Sequence, residues 1–477
     1  MIIKNICCIG AGYVGGPTMS VLAEKCPNII INVVDLNQER VNSWNSNDLN
    51  NLPVYEPGLA EIVKNCRNKN LFFSNLIQEK IKEADMVFIS VNTPTKKKGL
   101  GAGKASDLKW VEACARQVAQ YSSGHTIVVE KSTLPVRTAE VIKSILKESK
   151  KQNIGEMPLK TFDVLSNPEF LSEGSAIKDL LIPDRVLIGG ENNDAINSLC
   201  EIYKNWVPEE KILTTNIWSS ELAKLTSNAF LAQRISSINS ISALCEATGA
   251  NVKEVARAIG SDSRIGSKFL NTGPGFGGSC FKKDILNLVY LSEFFGLPEV
   301  AAFWESVVNL NNWHQNRISK LITKKLFGTL SNKKIVILGF AFKANTNDTR
   351  ESAAIQICKN LLEEDAYLVI HDSKVAYKQI EVDLEKKVLN SHLTNNDDSK
   401  ISKGGNWNYT QDLSGIFNDA DAVVILTEWD IYKSINWEVV SKFMRSPAWI
   451  FDTRSILSPI DIKKSNLNFW QIGDGLL

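Results

Sequence analysis

Apolar residues recur along the chain in two rhythms, solid runs of four to six and longer stretches spaced three and four apart, and the two rhythms alternate. Ile2-Ile3-Lys4-Asn5-Ile6-Cys7-Cys8-Ile9 is a solid run and predicts a strand. Residues 30–35, 86–91, 126–130 and 163–166 predict further strands with helical spacing between them, an alternation that implies a parallel, doubly wound sheet. Ser106 stands where it could cap the helix carrying Trp110, Val111, Cys114 and Val118. From 219 to 249 the rhythm becomes one long helix, and a second long helix is expected after Pro298 towards Leu326. Strand rhythm returns at 333–339, 366–370, 422–426 and 449–451. The expected fold class is α/β: two Rossmann-like doubly wound parallel-sheet domains joined by a long-helix central domain, at residues 1–215, 216–328 and 329–477. A polar stretch at 390–405 reads as a disordered surface insertion.

The first strand breaks into Gly10-Ala11-Gly12-Tyr13-Val14-Gly15-Gly16, a GxGxxG pattern between a strand and a helix. Its glycines allow a tight turn, close approach of a pyrophosphate and close helix packing. The second strand ends in Asp35, about twenty residues on, where an acid accepts from a ribose 2′-hydroxyl and repels a 2′-phosphate. NAD is therefore expected over NADP, a preference that Arg40 slightly weakens. Three later strands end in polar tails, Asn92-Thr93-Pro94-Thr95, Lys131-Ser132-Thr133 and Asn167-Pro168-Glu169. Ligands of such sheets bind beyond the carboxyl ends of strands, so these tails belong on the cofactor or substrate side, unless each is an ordinary turn.

The most glycine-rich stretch is Gly273-Pro274-Gly275-Phe276-Gly277-Gly278-Ser279-Cys280, with four glycines in six positions. It leads into a helical pattern, and a thiol at a helix N-terminus has its thiolate favoured by the dipole. Cys280 is a candidate nucleophile, with Asp284 one turn further on the same face. The alternative is a small buried hydrophobe, as free cysteines usually are. Lys224 and Asn228 are four apart and share a helix face, which is either functional or solvated surface.

Composition narrows the field. The chain has 54 basic and 53 acidic side chains, so net charge points neither to nucleic acid nor to an anionic membrane. Nine cysteines without a CxxC pair suggest a reducing compartment, and four dispersed histidines speak against zinc. The first residues run straight into a strand with no signal-peptide pattern, and no apolar run is long enough to span a bilayer. A cytoplasmic setting is expected.

The fingerprint, the stretch Ser166-Asn167-Pro168-Glu169-Phe170-Leu171-Ser172-Glu173-Gly174, the 220–228 helix, 275–284 and 339–343 occur in an order and at separations that resemble the UDP-glucose 6-dehydrogenases, the eukaryotic-like branch of the UDP-glucose/GDP-mannose dehydrogenase family. The resemblance covers nearly the whole chain. It implies oxidation of UDP-glucose at C6 to the carboxylate with two NAD⁺, through a thiohemiacetal and a thioester on Cys280. It implies that Lys224 and Asn228 steady the oxyanion, that Asp284 positions Cys280 and water, and that Glu169 is the general acid/base, with Thr133 in the catalytic set. For NAD it implies Gly10, Gly12, Tyr13, Val14, Gly15, Asp35, Arg40, Val91, Asn92, Thr93, Pro94, Thr95, Ser132, Thr133, Glu173 and Arg350. For UDP-glucose it implies Glu169, Phe170, Leu171, Ser172, Glu173, Lys224, Asn228, Arg264, Asn271, Gly275, Phe276, Gly277, Lys343 and Arg454, with Arg264 coming from a neighbouring subunit. Asn271 departs from the animal pattern, which has lysine there. No metal is implied, and the assembly implied is a homo-oligomer of dimer units, up to a hexamer. Rival readings are a sibling nucleotide-sugar dehydrogenase acting on GDP-mannose or a UDP-N-acetyl-hexosamine, a single-hydride dehydrogenase, and a non-catalytic NAD-binding homologue.

Overall fold

A computed structural model describes residues 1–149, 160–385 and 405–475. Most of the expected polar insertion at 390–405 lies outside the described residues. The chain divides into two units, Met1–Ser227 with Leu286–Ala301, and Asn228–Ile285 with Ala302–Leu477. It passes from one to the other within three helices, Ile217–Thr248, Phe281–Phe294 and Pro298–Lys325.

The first unit holds eight strands: β1 (Asn5–Ile9), β2 (Ile30–Val34), β3 (Leu71–Ser74), β4 (Met86–Ile89), β5 (His125–Glu130), β6 (Thr161–Ser166), β7 (Val186–Gly189) and β8 (Ile212–Thr215). Their order across the sheet is β3-β2-β1-β4-β5-β6-β7-β8. All neighbours are parallel except β6 and β7, which meet antiparallel through Ser166 and Gly189. Strands with helices on both faces must be apolar on both, and β1 shows how. Ile6 and Cys8 enter the core on one face with Met19 and Leu22, while Cys7 and Ile9 enter the other with Val111 and Val118. Strand order reverses between β1 and β4, so a crevice opens there at the carboxyl ends.

In the second unit β9 (Lys334–Leu338), β10 (Tyr367–His371), β11 (Asn406–Thr410), β12 (Ala422–Ile425), β13 (Trp449–Asp452) and β14 (Asn468–Gln471) form an all-parallel sheet, ordered β11-β10-β9-β12-β13-β14. This repeats the first six positions of the other sheet. Even the first turn is repeated: Asp35 after β2 accepts from Ala11 N–H at 2.9 Å, and Asp372 after β10 accepts from Phe340 and Ala341 N–H at 2.7 and 3.0 Å. Asp372 is fully buried and also accepts from the Trp429 indole at 3.2 Å, so it is sealed where Asp35 is not.

Two details differ from the sequence reading. Ser106 does not cap the Lys109–Tyr121 helix, whose N-cap is Leu108, and it is Asp107 that accepts from Lys109 N–H. Strands β3, β7, β8, β11 and β14 were not expected. They are short, four or five residues each, and all but β7 include polar residues, as in Asn406-Trp407-Asn408-Tyr409-Thr410. Among the described residues no helix is long and apolar enough to cross a membrane, and no cluster of acidic, histidine or cysteine side chains could hold a metal ion.

Candidate active site

At the end of β1 the backbone turns at Gly10 with φ 109°. A Cβ there would run into the Ser90 carbonyl, and at Gly15 into the Gly10 carbonyl, so both must be glycine. At Gly12 a Cβ would meet nothing within 4 Å, so the loop faces open space in front of the Gly15–Lys25 helix. Trp44 braces the turn from below, its indole donating to Ala11 O at 2.9 Å and its ring stacked on Phe73. Asp35 ends the neighbouring strand and pairs with Arg40 at 3.0 Å. An open, side-chain-free cradle at a helix N-terminus beside a strand-end acid fits the pyrophosphate and ribose of NAD. Tyr13 and Val14 lie in the same turn. The tails of β4 and β5 are tied together, Ser132 Oγ donating to Val91 O at 2.7 Å and Thr93 Oγ1 to Thr133 O at 3.0 Å. Asn92, Pro94 and Thr95 follow on the same tail, with Asn92 and Pro94 exposed.

The tail of β6 carries Glu169, which is buried and pairs with buried Lys224 at 3.3 Å. Glu169 Oε2 also accepts from Leu171 N–H at 2.7 Å. Burial pushes the Glu169 carboxyl up, but Lys224, the Leu171 N–H and Lys131 outweigh it and hold the carboxyl below the usual glutamate range. Lys224 Nζ sits 5.2 Å from the centre of the Phe170 ring, whose face also takes the Arg185 guanidinium at 3.9 Å. Ser172 is exposed and Glu173 half-buried. The following loop hangs on Glu56, which accepts from Gly174 and Ala176 N–H at 2.7 and 3.0 Å.

The second unit holds the cysteine loop. Cys280 precedes the Phe281–Phe294 helix, and its carbonyl accepts from Asp284 N–H at 2.8 Å, closing the first turn. Of nine free cysteines, Cys280 alone is half-exposed and the other eight are buried. Ser279 Oγ lies 3.4 Å from its sulfur. Asp284 is 1% exposed and accepts from Asn228 Nδ2 at 2.6 Å. The loop ahead of Cys280 is gripped from several sides. Asn239 accepts from Gly273 N–H, His314 Nε2–H donates to Gly273 O at 2.9 Å, and Asn311 bonds both the N–H and the carbonyl of Phe276. Gly275 takes φ 134°, and a Cβ at Gly277 would lie 2.6 Å from Glu351 O. Gly278 N–H donates to Arg350 O, while the Arg350 side chain forks onto Asp348.

Further along, Arg454 follows β13 and donates to Leu426 O and Phe342 O at 2.8 and 2.7 Å. Lys343 is next to Phe342 and stands 5.5 Å from its ring. Both cations thus sit at carboxyl ends of the second sheet, where a diphosphate would be met. Arg264 is not drawn into either group: its side chain is 87% exposed and pairs with Asp262. Asn271 is also exposed. The sequence reading missed Asn239, Asn311, His314, Glu56 and Trp44, which stand among largely polar neighbours with no motif to single them out.

Family models match the chain in three successive stretches: the NAD binding domain of the UDP-glucose/GDP-mannose dehydrogenase family at residues 4–207, its central domain at 218–313 and its UDP binding domain at 336–459. The chain is 56% identical to the UDP-glucose 6-dehydrogenase of Gallus gallus over 462 residues, covering 96% of this chain and 90% of that protein. It is 52% identical to UDP-glucose 6-dehydrogenase 4 of Arabidopsis thaliana over 480 residues, 99% of this chain and 97% of that one. A solved UDP-glucose dehydrogenase from Pyrobaculum islandicum superposes with a TM-score of 0.80 at 29% identity, covering 99% of this chain and 98% of that one. Matches of this extent, on a chain with two doubly wound sheets and a glycine-rich cysteine loop, mean that it belongs to the UDP-glucose/GDP-mannose dehydrogenase family.

Proposed function

We propose that the chain oxidises UDP-glucose at C6 to UDP-glucuronate, with NAD as the cofactor. NAD⁺ supplies the chemistry the side chains lack, accepting one hydride in each of two oxidations. The rest falls to the protein. The first oxidation removes a hydride and the hydroxyl proton from C6 and leaves an aldehyde. The Cys280 thiolate adds to its carbonyl carbon, a C–S bond forms, and the oxygen takes a proton to give a thiohemiacetal. Loss of the second hydride and that proton leaves a thioester. Water then adds, its proton passes to Glu169, the C–S bond breaks, and Cys280 departs as thiolate.

Lys224 and Asn228 supply a positive charge and an amide donor to the oxyanion, an interaction that typically contributes a few kcal/mol, ~3 per donor. Asp284 holds Asn228 and, one turn behind Cys280, positions the thiol. Thr133 belongs to the catalytic set. Gly10, Gly12, Gly15 and Asp35 would hold the dinucleotide, and Lys343 and Arg454 the diphosphate of the sugar nucleotide. The observation that carries this reading is Cys280 itself, the one thiol of nine that is not buried, at the start of a helix whose first turn holds a buried, hydrogen-bonded aspartate. A cysteine kept only for packing would be enclosed like the other eight.

The three expected domains, 1–215, 216–328 and 329–477, remain the proposed division. A homo-oligomer of dimer units, up to a hexamer with Arg264 contributed by a neighbour, is proposed with it, and the exposed Phe230, Phe303 and Trp313 on the two long helices support such contacts. The proposed setting is the cytoplasm. The test is mass spectrometry of a Glu169→Gln variant mixed with UDP-glucose and NAD⁺. An adduct of the mass of the uronyl thioester on Cys280, absent in Cys280→Ser, is expected. No adduct, with aldehyde released to solution, contradicts the covalent route.

A further inference from the structure

Beneath the tail that carries Glu169 lies a second buried lysine. Lys131 follows directly on β5 and is 4% exposed. Its Nζ donates to Asn167 Oδ1 at 2.9 Å and to the Tyr203 hydroxyl at 3.3 Å. Tyr203, on the Asn193–Tyr203 helix, donates to the same Asn167 oxygen at 2.6 Å, and Asn167 Nδ2 donates to Leu187 O of β7 at 2.8 Å. Three elements, β5, the Asn193–Tyr203 helix and β7, therefore converge on Asn167 of the β6 tail, two residues before Glu169. Burying an ammonium is costly, and a second one beside Lys224 costs more, because like charges repel. Tyr203 and Asn167 could satisfy each other without it. The arrangement makes sense if the second charge serves Glu169.

The groups that face Lys131 are Glu169 on the β6 tail, Lys224 on the Ile217–Thr248 helix, Cys8 on β1 and Tyr203. Burial pulls the ammonium down to about 8, against the opposing pull of Glu169 and with the push of Lys224. The ammonium in turn helps hold the Glu169 carboxyl low, after Lys224 and the Leu171 N–H.

We propose that Lys131 is a positioning residue for Glu169: it anchors Asn167, and with it the Pro168-Glu169 tail, and supplies the second positive charge that keeps the Glu169 carboxylate ionised and ready to take a proton from water. The inference rests on the reading of Glu169 as the acid–base group.

The test compares Lys131→Met, Lys131→Arg, Glu169→Gln and the Lys131→Met/Glu169→Gln double variant, by kcat and KM across pH. Lys131→Met is expected to lower kcat by about tenfold or more, to leave KM for NAD⁺ within about twofold, and to move the acid limb of kcat upward by about one pH unit. Lys131→Arg restores most of kcat. In the double variant the lysine change adds nothing to the loss from Glu169→Gln, as two residues acting through one group require. A Lys131→Met enzyme with an unmoved acid limb, or a loss that adds in full to that of Glu169→Gln, overturns the proposal while leaving Glu169 in its role. Full turnover in Glu169→Gln would instead overturn the role of Glu169 itself. Should Lys131→Met not fold, Tyr203→Phe carries the test: losing one acceptor loosens the ammonium, so the alkaline limb moves to lower pH, and a profile that superposes on the parent enzyme contradicts the proposal.

Discussion

Asn228 Nδ2 lies 2.6 Å from Asp284 Oδ2, and both side chains are buried. One is on the helix that also carries Lys224, the other in the first turn behind Cys280, so this single hydrogen bond links the proposed oxyanion donor to the helix that follows the proposed nucleophile. Asn228→Ala removes an amide donor and leaves a buried carboxylate short of a partner, at a stability cost of about 2 kcal/mol. We expect kcat to fall by roughly two orders of magnitude with NAD⁺ affinity unchanged. Equal losses in kcat and NAD⁺ affinity would make the contact structural.

Asp35 has three contacts, accepting from Ala11 N–H in the glycine turn and from Asn37 N–H and pairing with Arg40. Asp35→Ala frees Arg40 to meet a 2′-phosphate. The expected outcome is an NAD⁺ KM raised by about tenfold and a narrowed gap between NAD⁺ and NADP⁺. An unchanged cofactor preference removes the ribose assignment.

His314 and Glu130 pull the pH dependence of stability in opposite directions. Burial, then Arg317, lowers the His314 imidazole to about 3, while its Nε2–H holds the Gly273 carbonyl. With the folded value depressed below the usual 6.5, its contribution is present above 6.5 and is lost as pH falls towards 3, by up to a few kcal/mol, ~3. His314→Gln, which keeps a donor, should flatten the acid side of a plot of Tm against pH. An unchanged acid slope sinks the assignment.

Glu130, at the end of β5, is 1% exposed, and burial followed by the Glu221 charge raises its carboxyl well above the usual range. Glu221, also raised by burial, accepts from Arg137 and Ala139 N–H at 2.6 and 2.9 Å. A raised carboxyl stabilises at low pH and loses that contribution as pH climbs above about 4.5 through the folded value. Glu130→Gln removes the titration, so its Tm should exceed the parent's by about 2–4 °C at alkaline pH and match it near pH 4. A difference independent of pH contradicts the shared burial as its cause.

Much of this was legible in the sequence because it depends on local pattern. The Gly10 turn, Asp35 and the helical rhythm of 219–249 are spelled out by neighbours, and four of the six strands of the second sheet announced themselves as solid apolar runs. Cys280 was legible because glycines crowd ahead of it. The nature of its hold was not: Asn239, Asn311 and His314 come from two long helices, and nothing local marks an asparagine that will meet a backbone amide 35 residues away. Lys131 was visible only as a polar residue on a strand tail, since its burial depends on Tyr203, 72 positions on. The antiparallel contact of β6 with β7 rests on one residue pair, too slight to leave a periodicity.

The central claim, a four-electron oxidation through Cys280, is tested most directly by counting NADH formed per UDP-glucose consumed, in the parent enzyme and in Cys280→Ser. Two NADH per sugar nucleotide for the parent, with Cys280→Ser stopping at or before the second, is the predicted result. One NADH per sugar with free aldehyde from the parent, or two from Cys280→Ser, would contradict it.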